Sequence, residues 1–126
     1  MACKCATHPN LFADVKTFMD GGEQIPSPEL VNLYKDLIAE EYDEFLDGVD
    51  NKDPIETLDG LIDTVWVIIG YCIAAGYDFD GAWKEVAASN LSKLDPVTGK
   101  AIKNPAGKIM KPESYFKPDL TKFIGE

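Results

Sequence analysis

Residues 53–76, Asp-Pro-Ile-Glu-Thr-Leu-Asp-Gly-Leu-Ile-Asp-Thr-Val-Trp-Val-Ile-Ile-Gly-Tyr-Cys-Ile-Ala-Ala-Gly, decide the fold class. Asp53 is placed to cap a helix. Pro54 sits at the first helical position, and Glu56 follows three residues after the cap in capping-box register. Gly76 suits the left-handed residue that ends a helix, so the stretch predicts one long helix from Pro54 to about Ala75. From Leu58 to Ala75 its only charges are Asp59 and Asp63. They are four residues apart and share a face, with Glu56 one turn earlier. A helix apolar nearly all round should be buried. A lone carboxylate there costs several kcal/mol unless it is paired, protonated or bound to a cation. No lysine lies on this helix to pair with it.

Working backwards, Ser27, Pro28 and Glu29 read as cap, first residue and dipole-matched acid of a preceding helix. That helix is expected to run to about Leu46, with Gly48 as its stop. Its apolar stripe is Tyr34, Leu37, Ile38 and Phe45, and Glu41 lies inside the stripe. In Glu40-Glu41-Tyr42-Asp43-Glu44 the pairs Glu41/Glu44 and Glu40/Glu44 share a face, whereas Asp43 and Asp47 point to solvent. The two long helices are joined by few residues and should lie antiparallel. An earlier amphipathic helix is predicted over about Leu11 to Met19, with Phe12, Val15, Phe18 and Met19 inward. Asp78 or Asp80 caps a later one over roughly Gly81 to Leu91. Beyond Asp95, Gly99, Pro105, Gly107 and Pro112 predict an irregular tail with a small hairpin. The expectation is one all-α domain over residues 1–126, an antiparallel bundle of about four helices.

Charge sharpens this reading. The 126 residues carry a net charge of −10. Ten carboxylates and one cation, Lys52, lie between Glu40 and Asp63, and seven lysines face three acids between Lys93 and Lys122. The acidic segment repels itself unless cations enter it, and the lysine-rich tail suits an anion. Direct binding of duplex nucleic acid by so acidic a chain is not expected. There is no arginine, so phosphate would fall to lysines, backbone amides and metal. All the grouped acids are oxygen donors, and the one histidine, His8, is remote. That points to Mg²⁺ or Mn²⁺ rather than zinc or a di-iron centre. Cys3, Cys5 and His8 offer at most a partial metal site, since structural zinc takes four ligands. Cys72 reads as core. The three cysteines make no disulfide framework. The start of the chain shows no apolar signal segment. The longest apolar run, Leu61 to Tyr77, is interrupted by Asp63 and is shorter than the ~20 residues of a bilayer span. A reduced, cytoplasmic setting is therefore expected, without a membrane partner.

These segments resemble the MazG-like, all-α nucleoside triphosphate pyrophosphohydrolase superfamily, which shows E-E-x-x-E on one helix and E-x-x-D on the next. The first stands here as Glu40-Glu41-Tyr42-Asp43-Glu44. In the second, with Asp63 as the Asp, the Glu position falls on Gly60. Asp59 is the neighbouring substitute, and Glu56-Thr57-Leu58-Asp59 is an alternative register. Ser89-Asn90-Leu91-Ser92-Lys93-Leu94, Gly99-Lys100, Gly107-Lys108-Ile109-Met110-Lys111, Tyr115 and Pro118-Asp119-Leu120 resemble a phage and bacterial single-domain branch. The likeness spans Phe18 to Leu120.

The resemblance implies a Mg²⁺-dependent hydrolase that cleaves a (deoxy)nucleoside triphosphate to monophosphate and pyrophosphate, by water attack at the α-phosphorus. It implies Glu41, Glu44, Asp59 and Asp63 as metal ligands. Glu40 and Glu41 become catalytic residues, with Glu40 orienting or deprotonating the water. Asn90, Lys93, Lys108 and Lys111 become substrate contacts, and the chain a homodimer or homotetramer. Trp66 and Tyr71 offer rings to a base or, more simply, filling to the core. Two rival readings remain. One is phosphoribosyl-ATP pyrophosphohydrolase, a histidine-pathway relative ranked lower on the tail segments. The other is a non-catalytic, metal-binding helical interaction module.

Overall fold

The structure is a computed structural model that describes residues 10–125. Cys3, Cys5 and His8 lie outside the described residues. The chain divides after Tyr77 into two compact units.

The first unit holds α1 (Leu11–Gly21), α2 (Pro28–Asp50) and α3 (Pro54–Ala75). Each start is locally capped. Asn10 accepts from the Ala13 amide at 2.9 Å, Ser27 from Leu30 at 3.1 Å, and Asp53 from both Ile55 and Glu56 at 3.1 Å. The reciprocal half of the expected capping box is not made, because the Asp53 N–H donates to the Gly48 carbonyl at 2.9 Å. The end of α3 is a Schellman motif. Gly76 adopts φ 79°, the Tyr77 amide donates to Cys72 O at 2.8 Å, and the Gly76 amide donates to Ile73 O at 3.1 Å.

Glycines set the α2–α3 spacing. A Cβ on Gly48 would lie 2.7 Å from the Thr57 nitrogen, one on Gly60 would lie 2.7 Å from Phe45 Cα, and one on Gly70 would lie inside the Tyr34 ring. Along these pairs numbers fall on α2 as they rise on α3, so the helices are antiparallel, as expected. Gly48 corrects the sequence reading. It does not stop α2, which runs on to Asp50; it is buried inside the helix, where only hydrogen lets the α3 backbone approach. α1 rests on α3 through buried Val15 and Met19, and through an edge-to-face contact of Phe18 with Trp66 at 5.6 Å.

The expected burial of α3 on all sides is not found. Gly60, Val67, Ile69, Gly70, Ile73 and Ala74 are buried. Leu58 (60%), Ile62 (58%) and Val65 (43%) remain exposed, with Leu61 and Ile68 beside them. α2 and α1 cover only part of the helix circumference, so an apolar strip faces outward. The helix itself has the predicted span. α3 has 22 residues and is apolar enough to cross a membrane by length and composition alone, yet it packs along α2.

Lys52, in the α2–α3 connection, adopts φ 54°, the left-handed conformation that side chains resist. Lys52→Gly is expected to raise thermal stability by ~0.5–1 kcal/mol, the relieved strain exceeding the added unfolded-state entropy. A melting temperature unchanged or lowered would refute that strain.

The second unit holds α4 (Phe79–Leu91), capped by Asp78 on the Gly81 amide at 3.0 Å, and the tail. The tail has no strand among the described residues. The expected hairpin is reduced to one antiparallel bridge, Lys103 to Ile109. A 3₁₀ turn, Thr121–Phe123, returns to α4: the Asp78 amide donates to Phe123 O at 2.8 Å.

Candidate active site

The α2 acids converge. One carboxylate oxygen each of Glu40, Glu41 and Glu44 lies within 4.8 Å of the other two, Glu44 one turn beyond the adjacent pair Glu40 and Glu41. Glu40 and Glu44 are exposed and Glu41 is half-buried. The Oε1 atom of Glu41 is fully buried and has no hydrogen-bond partner among the described residues. Burial is the main cause that pushes the Glu41 carboxyl above the usual carboxylate range; Glu44, Asp63, Glu40 and Asp59 push it further the same way. Both α3 acids therefore act on Glu41 across the helix pair, as the antiparallel register requires. Asp63 is half-buried and lines a cavity of about 350 Å³ together with Glu41. Asp59 is exposed.

An orphaned buried acceptor amid like charges is a poor arrangement for a protein alone and a good one for a divalent cation. Carboxylate oxygens are the donors that Mg²⁺ or Mn²⁺ takes, and the surplus negative charge is what such an ion offsets. The donor set fits a hard cation.

Gly60 occupies the position where the motif would place a glutamate. Its α-carbon faces the Phe45 backbone, leaving no room for any side chain.

Of three further neighbours of the acids, the sequence marked Phe18 and Tyr34 only as apolar packing and did not mark Gln24. Gln24, Phe18 and Tyr34 share the cavity of Glu41 and Asp63, and the buried Tyr34 hydroxyl donates to Gln24 Oε1 at 2.6 Å. A tyrosine on an apolar stripe signals that a partner for its hydroxyl must exist, but not which residue supplies it. Trp66 lines the same cavity, whereas Tyr71 stands tilted against Tyr77 at 6.3 Å.

The second unit shows what the Ser89–Lys93 segment does locally. Ser89, 2% exposed, donates through Oγ to Phe116 O at 2.8 Å. Ser92 Oγ donates to Ser89 O at 2.6 Å and accepts from the Phe116 amide at 3.1 Å, and Ser114 Oγ donates to Ser92 O at 3.1 Å. The serines thus clamp residues 114–116 to the end of α4. Asn90 is left exposed. Lys93 and Lys111 share one ring, their ammonium groups 5.8 and 5.0 Å from the Tyr115 centroid. Lys108 stands apart from that ring, exposed on a turn closed by Asn104. Ser89→Ala is expected to cost ~1 kcal/mol by removing the part-buried hydrogen bond to Phe116 O, and to speed amide exchange at residues 114–116. Unaltered exchange there would show that the clamp does not hold the tail.

Comparison of the sequence with known families gives a match to the phosphoribosyl-ATP pyrophosphohydrolase model over residues 19–90, more than half of the chain. The chain belongs to the phosphoribosyl-ATP pyrophosphohydrolase family. This family is part of the MazG-like all-α superfamily, so hydrolysis of a phosphoanhydride bond is the activity class of this phosphoribosyl-ATP pyrophosphohydrolase-family chain. The match covers α2, α3 and all but the last residue of α4, and ends at Asn90, inside the first of the segments that suggested a narrower branch. A comparison with curated proteins found no match.

Proposed function

We propose that the protein hydrolyses a (deoxy)nucleoside triphosphate between the α and β phosphates, in a Mg²⁺-dependent reaction that releases the monophosphate and pyrophosphate. The observation that carries this reading is Glu41 Oε1, buried, unpartnered and surrounded by acids from two helices. Glu41, Glu44, Asp63 and Asp59 would hold the cation, with Mn²⁺ as a substitute. When bound, the cation neutralises the polyphosphate and lowers the pKa of a water. Glu40, exposed and within reach of the same cluster, orients that water and takes its proton. The water oxygen adds to the α-phosphorus, the bond to the bridging oxygen breaks, and pyrophosphate leaves. Asn90, Lys93, Lys108 and Lys111 are proposed to contact phosphate oxygens, with Lys93 and Lys111 already preorganised on Tyr115. A second copy of the chain, in a homodimer or homotetramer, would cover the outward strip of α3 and bury its exposed Leu58, Ile62 and Val65.

The test is a panel of triphosphates with Mg²⁺, with products resolved by chromatography. Monophosphate plus pyrophosphate is expected. Orthophosphate plus diphosphate would refute the cleavage position, and no turnover by folded, metal-loaded protein would refute the enzyme. The family match itself favours a second reading, phosphoribosyl-ATP as substrate. Including that compound in the panel decides between them by its kcat/KM relative to the simple triphosphates.

A further inference from the structure

The cavity beside the acids has a polar group whose direction is fixed from behind. Tyr34 is 2% exposed, its ring filling the space that Gly70 leaves on α3. Burial holds the phenol above its ordinary pKa, so its proton stays in place. That proton needs an acceptor, and Gln24 Oε1 supplies it at 2.6 Å. A reversed Gln24 carboxamide would present N–H groups to the hydroxyl and leave the phenolic proton without an acceptor. The Tyr34 bond therefore selects one orientation of the carboxamide. The Gln24 amide nitrogen has no partner among the described residues, and Gln24 lines the cavity shared by Glu41, Asp63, Phe18 and Trp66.

We infer that Gln24 is a specificity-determining residue that reads the nucleobase. Its Nε2 donates to a base carbonyl and disfavours bases that carry an exocyclic amine at that edge. This rests on the nucleoside triphosphate reading above. The phosphates would lie toward Glu41 and Asp63, and the base toward Phe18 and Trp66, whose aromatic surfaces suit the flat faces of a ring system. Uracil, thymine, hypoxanthine and guanine bear a carbonyl where cytosine and adenine bear an amine. A donor-only group bonds the first set and meets a second donor in the other. Tyr34 is the positioning residue, since it acts on the base only through Gln24.

The decisive experiment measures binding rather than turnover. The full-length protein with Mg²⁺ is titrated calorimetrically with the α,β-imido analogues of dUTP, dCTP, dITP and dATP. Members of each pair, dUTP with dCTP and dITP with dATP, differ chiefly in carbonyl against amine. The wild type is expected to favour the carbonyl member of each pair by about tenfold, the worth of one good hydrogen bond. Gln24→Ala should bring each ratio close to one. Gln24→Glu, an acceptor only, should reverse the ratios in favour of dCTP and dATP. Tyr34→Phe keeps the ring against Gly70 but frees the carboxamide to turn over, so the ratios should relax while both members still bind.

Equal weakening of carbonyl and amine analogues by Gln24→Ala would overturn the inference, as would a wild type that binds them equally or not at all. Turnover of the parent triphosphates is assayed separately on the same samples. Selective binding without hydrolysis would refute the enzymatic reading alone. Hydrolysis with ratios insensitive to Gln24 would refute the base-reading role alone.

Discussion

Glu41→Gln is expected to abolish Mg²⁺-dependent turnover while making the metal-free protein more stable. Losing the carboxylate at the centre of the cluster should lower kcat/KM by about 10³-fold, or ~4 kcal/mol of transition-state stabilisation. In the absence of metal the same substitution removes a half-buried carboxylate whose Oε1 is unpartnered and which Glu44, Asp63, Glu40 and Asp59 repel. A gain of ~1 kcal/mol is expected by denaturant unfolding. Opposite signs for activity and stability identify a residue kept for chemistry.

The pH dependence follows from the raised carboxyl of Glu41. A folded-state pKa above the unfolded one means that the native protein binds the proton more tightly. The metal-free protein should therefore lose stability as pH rises from the ordinary carboxylate range through the raised value, and the penalty is fully present above it. Glu41→Gln should remove that dependence. Mg²⁺ should act with the reverse sign, stabilising the protein near neutrality and fading as acidification protonates the cluster. Turnover retained by Glu41→Gln, or a melting temperature that Mg²⁺ does not move in the wild type, would sink the metal-site reading.

The second large effect concerns Gly60. Gly60→Glu restores the superfamily pattern on paper, yet it should weaken the protein by about 3 kcal/mol or more without tightening Mg²⁺. Its Cβ would sit 2.7 Å from Phe45 Cα and 2.9 Å from Phe45 N. Backbone atoms in two packed helices cannot swing aside as a flexible side chain does. Gly60→Ala should carry most of the same penalty, which separates crowding from added charge. A stable Gly60→Glu with improved Mg²⁺ affinity would show that the helices can part and that the position is an available ligand site.

These outcomes bear on what the amino-acid sequence revealed. The ends of the helices were legible because caps are local: Ser27-Pro28, Asp53-Pro54 and Gly76 each act within a few residues, and the structure uses each of them. Glu41 stood out because a charged residue on an apolar stripe contradicts the stripe, whatever the fold. Gly48 misled because a glycine that ends a helix and one that admits a neighbouring backbone look alike until the neighbour is known. The exposure of α3 was misjudged for a related reason. An apolar circumference says that a surface wants cover, but not how much of it the rest of the chain provides. Gln24 was invisible, since its meaning comes from a hydroxyl ten residues away. The serine clamp joins positions 24 and 27 residues apart, beyond any periodic pattern.

That clamp has an evolutionary corollary. Because residues 114–116 are fastened to the start of the tail, the intervening excursion is a closed loop whose two ends are fixed independently of what lies between them. Doubling the length of such a loop costs only ~0.6 kcal/mol. Insertions and deletions near Val97 or Pro105 should thus accumulate among relatives with little harm to folding, and leave the paired ammonium groups at Tyr115 where they are.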